Sequence, residues 1–275
     1  MLTGSSINAE YVFSNITKIN HHFYLGELSS PVVRKLTQGT VETIYSGKRF
    51  IHAAFHLEKP TVSIVVRSHQ DDDAMPQFEY RGKHLRIVRD FVPEFAKKIQ
   101  ALRFLEAEQH DKFRDCFMDT FINSPTDDRY WLARAFYMNL RKDDKLWNFL
   151  LNFRKQETMR KIIDSIEEER LLIQGVKLRS KIQDPDLKYF IALLLNIPTW
   201  NGLLEFQRKQ DGNIASVQRW LDKAHALGFD LQQLSGFTNK GSIINAGLDT
   251  NKRLNIIFNE LLRNRIGQFN ECIPA

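Results

Sequence analysis

The chain has 275 residues, 43% hydrophobic and 26% charged, so global disorder is excluded and an ample core is expected. Its two cysteines, Cys116 and Cys272, form no CxxC pair, which excludes a zinc finger or ribbon and predicts a reduced protein with Cys116 buried. The net charge of +6 is mildly basic and admits nucleic acid among many partners. MLTGSSINAEYVF lacks a basic-then-apolar leader, and the apolar cluster FIALLLNIP is broken at Asn196 and Pro198, so a cytoplasmic protein with no membrane span is expected.

The pattern changes near residue 93. Before it, alternation and turn residues predict antiparallel strands. HHFYL (21–25) and TVETIYS (40–46) read as strands. Between them SSPVVRKLTQG reads as a short helix, with Ser30 as cap, Pro31 at its first position and Gly39 at its end. RFIHAAFHL and TVSIVVRSH follow as a hairpin turning at Lys59-Pro60. Its apolar face is Ile51, Ala53, Phe55, Leu57, Val62, Ile64 and Val66, and its polar face carries His52, His56, Arg67 and His69. QFEY (77–80) and HLRIV (84–88) read as a second hairpin joined at Arg81, Gly82 and Lys83.

After Pro93 the period becomes helical. Helices are predicted over 93–108, 111–122, 127–140, 144–154, 157–179, 185–196 and 200–210, with further stretches at 213–227, 230–235 and 249–266. Thr126, Asp184 (before Pro185) and Thr199 read as caps. YWLARAFYMNL and LWNFLLNF read as core stripes, with Tyr130, Trp131, Phe136, Tyr137, Trp147 and Phe149 as an alternative interaction groove. The fold class is therefore α+β: an antiparallel β region over 1–92, packed on or followed by an irregular multi-helix bundle over 93–275.

His52 and His56 lie about 13 Å apart along a strand, at roughly 3.3 Å per residue, so they do not share one metal. The hairpin register sets His52 opposite Arg67, a pair suited to a carboxylate or phosphate. Asp71, Asp72 and Asp73 lack an EF-hand pattern and read as a charged loop tip. No GxSxG elbow accompanies the serines, and His225 near a helix end reads as a dipole interaction.

GKRFIHAAFH followed by PTVSIVVRS resembles the second motif of the cupin superfamily, in which a glycine turn precedes a strand with a metal-ligating histidine. HHFYLGE is similar to the first motif, where two histidines precede a glutamate. The likeness covers residues 20–70. It departs from the pattern in that His21 and His22 are adjacent, the proline-glycine turn is missing and His56 replaces an asparagine. The resemblance implies a divalent transition metal, Fe(II), Mn(II) or Ni(II), held by His22 (or His21), Glu27 and His52. Arg67 and His56 would then bind an acidic small molecule, in a non-haem oxygenase type of chemistry.

A second class of function stays open beside it. RGKHLRIVRD clusters Arg81, Lys83, Arg86 and Arg89 near Phe78 and Tyr80, a pattern that suits a phosphate backbone, although residues 1–95 carry 11 Lys/Arg against 10 Asp/Glu. On that reading the chain is a non-enzymatic helical module for a protein or nucleic-acid partner. Whether the chain is an enzyme is left open. The β region is short for a complete barrel, which points to completion of the sheet by a homodimer or to descent from a larger protein.

Overall fold

The computed structural model describes residues 1–43, 51–66, 77–89, 91, 95–108, 110–197, 199–212 and 215–226. In chain order the strands are β1 (Ser6–Tyr11), β2 (Phe13–Lys18), β3 (Phe23–Leu28), β4 (Val32–Leu36), β5 (Ile51–His56), β6 (Phe78–Arg81) and β7 (Leu85–Val88). The helices are α1 (Ala96–Glu108), α2 (His110–Ile122), α3 (Thr126–Lys142), α4 (Asp144–Phe153), α5 (Glu157–Lys181), α6 (Pro185–Asn196), α7 (Trp200–Asp211) and α8 (Ala215–Ala226). The expected α+β class is what forms. Among the described residues, no helix is long and apolar enough to cross a membrane.

Two compact units divide the chain, and each draws on both strands and helices rather than changing over at residue 93. The first holds the described residues within Met1–Val12, Ser29–Met75 and Arg170–Ala275; the second holds those within Phe13–Leu28 and Pro76–Glu169. The division falls inside α5.

In the first unit an antiparallel sheet of order β4-β1-β5 packs with α6, α7, α8 and the second half of α5. The centre is α6, with Leu187, Phe190, Ile191, Leu193 and Leu194 all buried. Its start is the expected one: Pro185 sits in the first turn and Asp184 accepts from Leu187 N–H at 2.9 Å. Thr199 likewise caps α7 through Gly202 N–H at 3.1 Å. Trp220 of α8 stacks on Phe190, and Arg179 of α5 lies over Phe55 while donating to the carbonyls of Leu57 and Lys188.

Several expectations fail in this unit. SSPVVRKLTQG is no helix: Val32–Leu36 forms β4, paired antiparallel with β1 from Ser6↔Leu36 to Glu10↔Val32. Its β-branched residues suit a strand once a partner is present, and Arg34 bridges Glu10 across the pair. The hairpin at Lys59-Pro60 does not form either. β5 pairs with β1 instead, from Ser6↔His56 to Tyr11↔Ile51, and of 61–66 only Val62 makes a bridge, to Thr3. The predicted apolar face is split accordingly. Ile51 is buried and Phe55 half-buried, but Ala53, Val62, Ile64 and Val66 are exposed. Alternation fixes which residues share a side; it does not choose the neighbouring strand. Residues 40–43 form no strand, and 44–46, like the predicted helices at 230–235 and 249–266, lie outside the described residues.

In the second unit the sheet has the order β2-β3-β7-β6, and the β6–β7 hairpin forms where expected. Phe23, Leu25, Leu85 and Ile87 face the helices and are buried. Against them pack Phe113, Phe117 and Phe121 of α2, spaced one turn apart, and Tyr130, Phe136 and Leu140 of α3. The aromatic helices are thus core stripes: Tyr130, Phe136 and Tyr137 are buried, and Trp131, Trp147 and Phe149 pack partly buried against them. Cys116 is exposed, contrary to expectation, because it lies off the Phe113–Phe117–Phe121 stripe. Thr126 opens α3 as its first residue, with Pro125 before it and no side-chain cap. The hairpin turn is seated on α5. Gly82 has φ +57°, and a Cβ there would stand 2.5 Å from the Cα of Ser165, whose hydroxyl accepts from His84 N–H at 3.2 Å.

Candidate nucleic-acid interface

Residues directly opposite in an antiparallel ladder point to the same side. Lys18 pairs with Tyr24, Tyr24 with Arg86, and Arg86 with Tyr80, so one row crosses all four strands as Lys18–Tyr24–Arg86–Tyr80. Because Phe23, Leu25, Leu85 and Ile87 take the helix-facing side, this row occupies the opposite, outer face. Phe78 lies two residues along β6 on the same face. Phe13 of β2 joins it: its ring lies where a Cβ on Gly26 would stand, 2.5 Å from that position. Gly26 is therefore the residue that lets Phe13 lie down on the sheet.

Arg86 is the centre of this face. Its guanidinium carbon lies 4.2 Å from the Tyr24 ring centroid, 4.6 Å from Phe78 and 5.7 Å from Phe13. Phe13 meets Tyr80 edge-on, and Tyr24 meets Phe78 in the same way. The rings of Tyr24, Phe78 and Tyr80 remain half-exposed, while Arg86 is only 5% exposed. Among the described residues no carboxylate pairs with Arg86, and its Nε has no hydrogen-bond partner. Burial pushes the Tyr80 hydroxyl above the usual phenol range, with the Arg86 charge opposing. Lys18 is exposed in the same row, and Arg89 lies exposed past the end of β7, where it donates to Gln77 at 3.0 Å.

The other basic candidates go elsewhere. Arg81 shares the helix-facing side with Glu79. It donates to Glu79 at 2.6 Å and to Glu169 of α5 at 3.0 Å. Arg134 of α3 completes this cluster with two bonds to Glu169, 2.9 and 2.7 Å. Burial opposes the charge on Glu169, but the Arg134 hydrogen bonds and the charges of Arg134 and Arg81 outweigh it and hold the carboxyl below its usual range. Lys83 sits in the hairpin turn, half-buried.

The residues that the cupin resemblance singled out are dispersed. His22 is buried just before β3, stacked on Phe91 with ring centroids 3.5 Å apart. Its Nε2 meets Asp127 at 3.2 Å and its Nδ1 meets Nε2 of His21 at 3.3 Å, so both ring nitrogens are engaged. Glu27 lies five residues further along, about 16 Å at roughly 3.3 Å per residue and on the other side of the strand. It accepts from Asn15 at 3.0 Å, and that bond, against slight burial and with the charge of Lys161, keeps it below the usual carboxylate range. His22 and Glu27 thus do not fit one ion. His52 and His56 belong to β5 in the first unit, both exposed, with His56 Nδ1 2.9 Å from Ser6 Oγ. Arg67, His69 and Asp71–Asp73 lie outside the described residues, as does the side chain of His225. Among the described residues, no three His, Cys, Asp or Glu side chains come together to hold a metal ion.

Phe78, Tyr80 and Arg86 were legible as an aromatic-basic cluster, but Lys18, Tyr24 and Phe13 were not. The available signal is FYLGEL, where Phe23 and Leu25 alternate with Tyr24 and Gly26 and so set Tyr24 on the polar side. No family model, curated protein or solved structure matches this chain.

Proposed function

We propose that this protein binds single-stranded nucleic acid on the outer face of its four-stranded sheet. The observation that carries the reading is Arg86: a buried guanidinium with no carboxylate among the described residues, held against the half-exposed rings of Tyr24 and Phe78 and directly across the ladder from Tyr80. A buried charge without a counter-charge is costly, and an anionic polymer laid over the rings supplies one. The rings offer flat faces on which bases stack, each worth about 1–3 kcal/mol, and Lys18 and Arg89 offer cations at the edges for phosphates. Duplex DNA keeps its bases stacked and does not reach such a platform, so preference for single strands is expected.

Fluorescence anisotropy with a labelled single-stranded oligonucleotide tests this. Tyr24→Ala and Tyr80→Ala each weaken binding by about 5- to 150-fold, the range that corresponds to one stacked base. Lys18→Glu weakens it uniformly across sequences and lowers the salt slope by about 1. Unchanged affinity in both tyrosine variants, with the circular dichroism of the parent, would refute the platform.

A further inference from the structure

The turn between β2 and β3 holds a chain of hydrogen bonds that the binding face does not use. Asp127, in the first turn of α3, is 8% exposed. Its Oδ2 accepts from Asn20 Nδ2 at 2.8 Å and meets Nε2 of His22 at 3.2 Å. His22 is also 8% exposed and is clamped by the Phe91 ring, while Asn20 Oδ1 accepts from its backbone N–H at 3.1 Å. His22 Nδ1 then meets Nε2 of His21 at 3.3 Å, and the His21 residue is exposed.

The chemistry of each link fixes the next. With both imidazoles neutral, the Asp127 carboxylate accepts from His22 Nε2–H, which leaves His22 Nδ1 a lone pair. That lone pair accepts from His21, so the His21 proton sits on Nε2. The remaining His21 nitrogen, Nδ1, therefore carries a lone pair and has no partner among the described residues. This is the carboxylate–imidazole–acceptor logic of acyl-transfer triads, with a second imidazole in the place of the hydroxyl. The buried members hold orientation and tautomer, and the exposed member is a base ready to take a proton. The site also adjoins the proposed platform: the Tyr24 hydroxyl donates to the His21 carbonyl at 3.1 Å.

We propose that His21 is the general base of a metal-independent ribonuclease activity on the strand bound at Tyr24, an inference that rests on the single-strand reading above. The 2′-hydroxyl gives its proton to His21 Nδ1 as its oxygen bonds to the adjacent phosphorus. The phosphorus–5′-oxygen bond breaks, leaving a 2′,3′-cyclic phosphate. The departing 5′-oxygen takes a proton from water, and the resulting hydroxide takes the proton from the His21 imidazolium, which restores the base. No oxidant, reductant or metal enters the balance. His22 and Asp127 are positioning residues, because they act only through His21.

The test uses the full chain, a labelled single-stranded RNA and EDTA. The expected result is slow cleavage to 2′,3′-cyclic phosphate ends, lost when the nucleotide at the scissile position is 2′-deoxy. His21→Ala, an exposed substitution, lowers the rate by about 10²- to 10⁴-fold, the contribution of one general base. Asp127→Asn lowers the rate with the RNA dissociation constant unchanged, a split that a merely structural role would not give. A protein that binds the RNA strand but yields no cyclic phosphate overturns the activity and leaves the binding reading standing. Cleavage that persists in His21→Ala, or on 2′-deoxy substrate, overturns it too. Failure to bind RNA at all removes the reading beneath it.

Discussion

Glu169→Gln is the sharpest test of how the second unit is held. Glu169 has a side chain 17% exposed, and it receives Arg134 through two bonds and Arg81 through one. The amide keeps the shape and removes the charge. Arg81 retains Glu79 at 2.6 Å, whereas Arg134 loses the carboxylate that engages two of its nitrogens. Breaking one side of a fully buried pair costs about 3–5 kcal/mol. The arginine side chains here are 25% and 31% exposed, so solvent recovers part of that and the expected loss is about 2–3 kcal/mol. With a slope near 3 kcal/mol per molar urea, the unfolding midpoint falls by about 0.7–1 M. Replacing Arg134 and Glu169 together by Met recovers much of the loss, since the charge and its counter-charge are then removed together. The folded-state pKa of Glu169 is depressed, so its stabilisation is complete above the ordinary value near 4.5 and is lost as pH falls through the lowered one. Glu169→Gln therefore flattens the acid side of the stability curve. A loss under about 0.5 kcal/mol, with an unchanged acid slope, would show that the cluster behaves as an exposed ion pair and refute the reasoning.

Two further outcomes follow from the same unit. Tyr130→Phe is neutral or stabilising by up to about 1 kcal/mol in urea titration, because the buried hydroxyl has no hydrogen-bond partner among the described residues and burial, the largest cause, pushes it far above the usual phenol range; a loss above about 1 kcal/mol would reveal a bound water or side chain satisfying it. Gly82→Ala costs about 2–4 kcal/mol, from the left-handed backbone at φ +57° and from the Cβ driven against Ser165; the same denaturation assay reads it, and a neutral result would mean that the hairpin turn is not seated on α5.

The parts of this fold that were legible in the sequence are those whose information is local. The helices announce themselves by period, and Asp184-Pro185 and Thr199 cap them within one turn. The β6–β7 hairpin is equally local, folded about Gly82. The three-stranded sheet was illegible because its central strand, β1, meets β5 across some fifty residues, as in Ser6↔His56. Without that partner, Ile51–His56 and the apolar run after Pro60 looked made for each other, and Val32–Leu36 looked helical behind its proline.

The candidate site divides along the same line. Phe78, Tyr80 and Arg86 stood out because they lie on one hairpin, while Tyr24 joins them only through the β3–β7 ladder. The cupin resemblance makes His22 a metal ligand, whereas its hydrogen-bond partner Asp127, 105 residues away in sequence, is not legible from the motif. A histidine in a short motif carries little information about which acceptor it will meet.

The most direct test of the central claim is photo-crosslinking of single-stranded RNA carrying 4-thiouridine, followed by peptide mapping. The account predicts crosslinks on β3, β6 and β7, concentrated at Tyr24, Phe78 and Tyr80 and abolished by excess unlabelled strand. Crosslinks confined to α6–α8, or none above background, would contradict it.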